Sequence, residues 1–412
     1  MRGQGLNDTV VVSSPGRADF LNTHQDYKGL PVVPVAINLR MKLKAKPTEN
    51  RAFAIKSLDL EKYGEQSTDS FRIGINSIVG GKFFGDYFRG VVNVLVKKGL
   101  GSKLEGMHVT IKSEIPVGSG LSSSAALEVG FTELLNHACN LGLSRKDLAE
   151  ISFAAENREV GVPCGRLDQY GVAFGGIIKL ECKPPFNVEP LPFKNLTLAI
   201  VDSGIRHSTA DIHPKRQEDI DRGLKALMQS SEVPKALKAK LGHRFNEPEW
   251  ENLSEKELEN YLSVMDESAR RCILFTLRMQ RSTEFALKIL RYEKVSDEEG
   301  VLNLGTDRWN SVKTGSTAEH SLRILGEVMN EQHALLRDLY DVSLPELENI
   351  CMSALDAGAY GAKISGAGMG GSIMALVKSV EHGGKVVDAC LGAGAKNGWV
   401  SKVDEGVKVE KA

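Results

Sequence analysis

The stretch Pro116-Val117-Gly118-Ser119-Gly120-Leu121-Ser122-Ser123-Ser124-Ala125-Ala126-Leu127 constrains the fold more than any other part of the chain. It stands between a segment that reads as a strand, 107–112, and an apolar-periodic segment that reads as a helix, 123–140. Glycines let the backbone turn with its amides pointing inward, and the following helix adds unpaired N–H groups and the positive end of its dipole. Together they make a cradle for phosphate. A Walker loop would need a Lys after its last glycine; none follows Gly120, so this is a different solution to the same electrostatic problem. A plain helix cap accounts for one serine, not for three behind two glycines.

Mixed α and β patterns surround this loop. Segments 9–13 and 32–44 read as strands around a polar loop, 16–30. Tyr87, Phe88, Val91, Val92, Val94 and Leu95 recur at helical spacing within 84–98, and 144–157 reads as a further helix. Strands follow at 176–180 and 196–202, with Pro184, Pro185, Pro190 and Pro192 between them, which puts a domain boundary at about residue 190. Residues 214–300 read as helical, charged scaffold. Near the end a helix, 346–357, leads through the glycine-rich turn 358–371 into a strand, 372–377. A chain of 412 residues exceeds what one hydrophobic core organises, so two domains and a cleft are expected.

Charge and cysteine content narrow the partners. Lys plus Arg number 52 against 53 for Asp plus Glu, so no overall field draws the chain to nucleic acid or to an anionic membrane, and small molecules are the expected ligands. Six scattered cysteines without a C-x-x-C pair fit neither a disulfide framework nor a zinc site, which points to a reducing cytoplasm. The N-terminus has no signal-peptide h-region, and no run of 18 apolar residues follows, so the chain reads as cytosolic and unanchored.

The glycine-serine loop resembles the second motif, P-x-x-x-G-L-x-S-S-A, of the GHMP kinases, the family that groups galactokinase with homoserine, mevalonate and phosphomevalonate kinases. Gly16-Arg17 and His24-x-Asp26-Tyr27-x-Gly29, with Pro34 and Ala36-Ile37 beyond, resemble the N-terminal signature of its galactokinase members. Gly361-Ala362-Lys363-Ile364-Ser365-Gly366-Ala367-Gly368-Met369-Gly370-Gly371 resembles the third, glycine-rich motif. Between them Cys164-Gly165-Arg166-Leu167-Asp168-Gln169, Val201-Asp202-Ser203-x-x-Arg206-His207-Ser208 and the run from Glu331 to Leu347 also look like galactokinase. The resemblance implies an α+β fold in two domains. Residues 1–190 would form a ribosomal-S5-like domain with an unusual left-handed β-α-β crossing. Residues 191–412 would form a ferredoxin-like domain, with ATP and sugar meeting in the groove between the two. The implied reaction is transfer of the ATP γ-phosphate to the anomeric hydroxyl of galactose or a close relative.

Phosphoryl transfer asks a protein mainly to align a hydroxyl with phosphorus and to neutralise charge. By resemblance Asp168 takes the hydroxyl proton and Arg17 is its partner, while Ser124 and Glu156 hold Mg²⁺, which prefers oxygen ligands. Gly118, Ser119, Gly120, Leu121, Ser122, Ser123, Ser124, Gly366 and Gly368 would line the ATP phosphates, and Phe84 would lie against adenine or in the core. Asp26 would accept hydrogen bonds from two neighbouring sugar hydroxyls, with His24, Thr23, Asp19, Arg166 and His213 around the sugar. Four of these depart from the galactokinase pattern. Thr23 stands where an acidic residue contacts the C6 hydroxyl, Asp19 replaces an Asn, Arg166 an apolar residue and His213 a Tyr. One negative side chain is lost and a cation gained, which suits a C6 carboxylate as well as a hydroxyl, although Asp19 pulls the other way. Galacturonate or another hexose therefore stays open beside galactose, as do a mevalonate-type alcohol kinase and a sugar-and-ATP sensor without turnover. The sequence leaves the oligomeric state open, and a monomer is compatible with it.

Overall fold

The computed structural model describes residues 9–410 except 63, 81, 82, 207, 208, 315 and 316; His207 and Ser208 of the motif noted above lie outside the described residues. The chain forms two compact units. The first takes the described residues of Met1–Ala18, Val35–Ile178 and Asp404–Ala412, the second Asp19–Pro34 and Lys179–Val403. A single cut at about residue 190 does not describe this division. Membership is decided by which core a segment's apolar residues enter, and the proline cluster records only that the backbone there is irregular.

In the first unit a six-stranded sheet runs, in spatial order, Lys408–Glu410, Val10–Leu21, Val33–Thr48, Gly106–Ser113, Ala52–Ser57 and Thr68–Arg72. Gly106–Ser113 shows why it lies here: Met107, Val109 and Ile111 are buried while His108 and Lys112 are exposed, the period of two that puts one face on a core. Ala52–Ser57 pairs with it in parallel, from Phe53↔Met107 to Ser57↔Ile111. A parallel pair needs a crossover, and the helix Gly85–Lys97 lies in that connection. Phe131 on the helix Ser123–Ala138 packs edge-on to Phe88 and Phe53, with ring centroids 4.8 and 5.4 Å apart. That helix sits close on the sheet at Gly130, where a Cβ would fall 2.7 Å from Leu43 Cδ1 and 2.8 Å from Ser14 Oγ.

The strand Val10–Leu21 runs well past the expected 9–13 and takes in much of the supposed polar loop. Its polar residues are not loop residues: Ser13, Ser14 and Arg17 are buried, and Ser14 Oγ donates to Ala126 O at 2.6 Å. Polar side chains satisfied inside the fold look the same in sequence as solvated ones.

The second unit carries a four-stranded antiparallel sheet in the order Asn397–Lys402, Thr197–Asp202, Ser372–Val377, Gly361–Ser365. In chain order this is 4-1-3-2, with helices between its first and second and between its third and fourth strands, the ferredoxin-like arrangement. The first of those connections holds the helices Thr209–Gln229 and Glu267–Leu290, so the charged region 214–300 is helical as expected. Ile220, Leu224, Leu227, Trp250, Ile273 and Phe275 join its core. The glycine-rich run is not all turn: its first part, Gly361–Ser365, is a buried strand. Among the described residues no helix is long and apolar enough to cross a membrane.

Candidate functional site

The first unit brings the phosphate-loop residues together with both members of the proposed acid–base pair. Gly118 and Gly120 sit at φ 70° and 76°, and Ser122, the residue preceding the helix Ser123–Ala138, at φ 61°. A non-glycine there stores strain of roughly 1–3 kcal/mol. Ser122 makes no side-chain cap bond, and its buried Oγ has no partner among the described residues, so capping does not account for it. Arg17 joins this loop to Asp168. Its Nη1 donates to Gly120 O at 2.7 Å, while Nε and Nη2 both donate to Asp168 Oδ1, at 2.8 and 2.6 Å. The second oxygen of Asp168 stays outside the pair. Asp168 lies in the first turn of the helix Leu167–Phe174, and its side chain is 28% exposed against 8% for Arg17.

Glu156 comes from a π-helical turn, Ala155–Val160, that continues the helix Arg145–Ala154; such turns recur at functional sites. Its carboxyl receives Gln169 Nε2 at 2.6 Å and also contacts Ser124. Burial, then the charge of Asp168, pushes it up to about 7, with Ser124 and Arg17 opposing. Ser124 and Glu156 are thus adjacent oxygen donors at a point where negative charge is destabilised. Among the described residues no group of three or more His, Cys, Asp or Glu forms a metal cage. A hard cation that takes one or two protein oxygens and the rest from phosphate and water fits this donor set.

Two further candidates have their packing partners within the first unit. Arg166, expected beside the sugar, pairs with Glu150 at 2.7 Å and lies 4.0 Å from the Phe153 ring centroid. Phe84 is half-buried, edge-on to Phe83 and Phe88 at 5.2 and 6.3 Å, the packing of an aromatic at the edge of a core.

The second unit gathers most of the proposed sugar residues. His24, at φ 66°, donates from Nε2 to Ala367 O at 2.9 Å, and its ring lies 5.0 Å from that of His213. Burial and the neighbouring His213 hold His24 well below the usual imidazole range, and burial takes His213 down to about 4, so both rings are neutral near pH 7. Asp26 opens the short turn Asp26–Lys28, which closes on Gly29 at φ 79°. Thr23 is buried with its Oγ1 accepting from Lys363 Nζ at 2.9 Å; the same ammonium donates to Asp19 O and Ile364 O. Gly366 and Gly368 sit at φ 98° and 86° in the turn after Gly361–Ser365.

The GHMP kinases N terminal domain model matches residues 86–176, the GHMP kinases C terminal model residues 315–396, and the galactokinase galactose-binding signature residues 4–47. A galactokinase of Thermococcus kodakarensis is 31% identical over 377 residues, which cover 90% of this chain and 89% of that protein. The chain belongs to the GHMP kinase family, in its galactokinase branch. A galactokinase of Pyrococcus furiosus is 28% identical over 373 residues, 89% of each chain. Among solved structures, Lactococcus lactis galactokinase complexed with galactose superposes with a TM-score of 0.74 at 25% identity over 97% of this chain and 95% of that one. L. major mevalonate kinase, at 18% identity and a TM-score of 0.62 over 97% of each chain, shares the fold. As a GHMP kinase the protein is an ATP-dependent phosphotransferase.

Sequence reasoning about this kinase missed Lys363, Lys28, Glu128 and the contact of Gln169. Lys363 and Gln169 stand inside motifs, and their signal was a long polar side chain among residues small or apolar enough to be buried. Lys28 is buried, donates to Thr276 Oγ1 at 3.0 Å, and lies 4.8 Å from the ring centroids of both Phe275 and Tyr340. Burial depresses its amine to about 7. In the unfolded chain a lysine keeps its proton up to about 10.4. Between those values the unfolded state binds a proton that the folded state has released, so stability rises with pH from about 7. Lys363, depressed to about 8, acts with the same sign. The melting temperature of wild type is therefore expected to rise more between pH 7 and 9 than that of Lys28→Met. Equal pH slopes would show that Lys28 does not discharge on folding.

Proposed function

We propose that this kinase transfers the γ-phosphate of ATP to the anomeric hydroxyl of galactose or a close relative. The observation that carries the reading is the three-way contact of Gly120 O, Arg17 and Asp168, which ties the phosphate loop to a carboxylate with one oxygen left over. Asp168 Oδ2 accepts the proton of the attacking hydroxyl, and Arg17 offers positive charge to the alkoxide as it develops. Loop amides around Gly118–Gly120 and the N-terminus of Ser123–Ala138 bind phosphate oxygens, with Gly366 and Gly368 proposed as further backbone contacts. Ser124 and Glu156 would hold Mg²⁺, which when bound neutralises charge on the phosphates. Asp26 accepts from two sugar hydroxyls, and the neutral His24 and His213 can each give or take a hydrogen bond beside it.

The galactose-binding signature over residues 4–47 and the galactokinase relatives support galactose as the acceptor. A second reading, a sugar oxidised at C6, is favoured by the Lys363 ammonium beside Thr23, while Arg166 has Glu150 as an ion partner. ADP release measured with galactose, 6-deoxygalactose, galacturonate, mevalonate and homoserine tests both. Turnover is expected with galactose and none with the two non-sugars. A higher kcat/KM for galacturonate would move the assignment to the second reading. ATP binding without turnover on any sugar would leave a sensor instead of a kinase.

A further inference from the structure

The turn 366–371 cannot hold one shape by its own residues. Gly366, Gly368, Gly370 and Gly371 sit at φ 98°, 86°, 142° and 74°, and Met369 at 54°. Glycine loses more conformational freedom on ordering than any other residue, so the shape depends on bonds from outside the turn. The second unit supplies them. Val342 O accepts from Met369 N at 2.7 Å. Gly371 N donates to Ile205 O at 3.0 Å, and Gly371 O accepts from Ser203 N and Oγ at 2.9 and 2.7 Å. Near the start of the turn, Ala367 O accepts from His24 Nε2 at 2.9 Å. That last bond fixes more than a carbonyl. The peptide joining Ala367 to Gly368 is planar and trans, so its C=O and N–H point in opposite directions. Drawing Ala367 O toward His24 therefore aims the Gly368 N–H away from the ring. Gly368 N has no acceptor among the described residues. The imidazole is itself held as a strut, buried 5.0 Å from the ring of His213 and 5.1 Å from that of Tyr340, which stacks on Phe275 at 3.9 Å. At its other nitrogen, Tyr27 Oη stands 3.4 Å from Nδ1 and 2.6 Å from Tyr340 Oη.

We propose that His24 is a positioning residue for the nucleotide: through Ala367 O it aims the Gly368 N–H at a phosphate oxygen, so that a side chain assigned to the sugar serves both substrates. The inference rests on the reading that the turn 366–371 faces phosphate. A carbonyl can only accept, so Nε2 donates to Ala367 O whatever the charge on the ring. An amide already aimed binds an anion without a further loss of backbone freedom, whereas a free glycine peptide must first be fixed. Released from His24, the same peptide can turn its oxygen toward the phosphate and set like partial charges against each other. The backbone of His24 is placed for this task at φ 66°, a strained value for a residue other than glycine that the surrounding structure has to hold.

Calorimetric titration with a non-hydrolysable ATP analogue and Mg²⁺, with no sugar present, reads this role apart from any contact of His24 with sugar. His24→Asn suits a left-handed backbone, but its amide stops short of Ala367 O. It is expected to weaken the analogue about tenfold, the low end for a hydrogen bond to a charged group. His24→Gln carries an N–H about as far as the imidazole does and is expected to stay within about threefold of wild type. Adenosine, which has no phosphate to meet the amide, should bind wild type and both variants within about threefold of one another. Normal analogue affinity in folded His24→Asn, a His24→Gln as weak as His24→Asn, or an equal loss for adenosine would each overturn the proposal. Should His24→Asn fail to fold, His24→Leu carries the same decision. Gly366→Ala separates the two levels. Unchanged analogue affinity both there and in His24→Asn would remove the turn from the phosphate site, whereas a loss in Gly366→Ala without one in His24→Asn would remove the positioning role alone.

Discussion

Asp168→Asn is expected to lower kcat by about 10²–10⁴, the range general-base catalysis supplies, while leaving the melting temperature and ATP binding close to wild type. Arg17 sends two N–H groups to a single oxygen of Asp168, and an Asn oxygen can still receive them. The amide will therefore orient with its oxygen on Arg17 and its NH₂ where Oδ2 stood. That group donates where the attacking hydroxyl needs an acceptor, so the variant keeps its shape and loses the destination of the proton. ADP release, with circular dichroism and thermal unfolding as controls, measures the effect. Turnover within about threefold of wild type would remove Asp168 from the role of base.

Gly368→Ala should destabilise the second unit by on the order of 4 kcal/mol, and Gly366→Ala by no more than roughly 1–3 kcal/mol. Both glycines have positive φ, so both substitutions meet backbone strain. They differ in their neighbours. A Cβ on Gly368 would lie 2.4 Å from Val342 O and 2.8 Å from Val342 Cβ, and Met369 N donates to that same carbonyl at 2.7 Å. An alanine there forces the turn off the segment it is bonded to. Around Gly366 no atom lies within 4 Å of the added carbon, so the penalty is strain alone. Thermal and urea unfolding of the two variants side by side decide the matter. A Gly366→Ala that folds normally but binds ATP more weakly would mark Gly366 as the glycine that phosphate approaches, and equal stability losses would mean that packing on Val342 is not what requires Gly368.

The glycine-serine loop was legible because its requirements are local. Gly118 and Gly120 supply the turn, and the helix that begins at Ser123 supplies free amides a few residues on, so short-range backbone chemistry sufficed. The helices and the strand Gly106–Ser113 were legible for a similar reason: one buried face imposes a period that neighbouring residues record. Where the sequence pattern failed, the deciding partner lay far along the chain or the buried group was polar. The strand Val10–Leu21 passes for a loop because Ser14 and Arg17 find acceptors at Ala126 and Gly120, more than a hundred residues away. Gly361–Ser365 hides a strand because its lysine is buried against Asp19 and Thr23. Arg166 reads as a spare cation, and only packing gives it Glu150 as an ion partner and Phe153 as a ring neighbour.

By itself, then, the sequence determined which backbone can cradle a phosphate, which segments can present an apolar face, and, through its motifs, which side chains bear the chemistry. Only the tertiary structure decided the partner of each polar group: Arg17 on one oxygen of Asp168, Gln169 on Glu156, Lys363 on Thr23. Burying a polar group is unfavourable unless a partner of the right kind meets it at hydrogen-bond distance, and that partner is chosen by how strands and helices pack, which residue types in order along a chain do not encode.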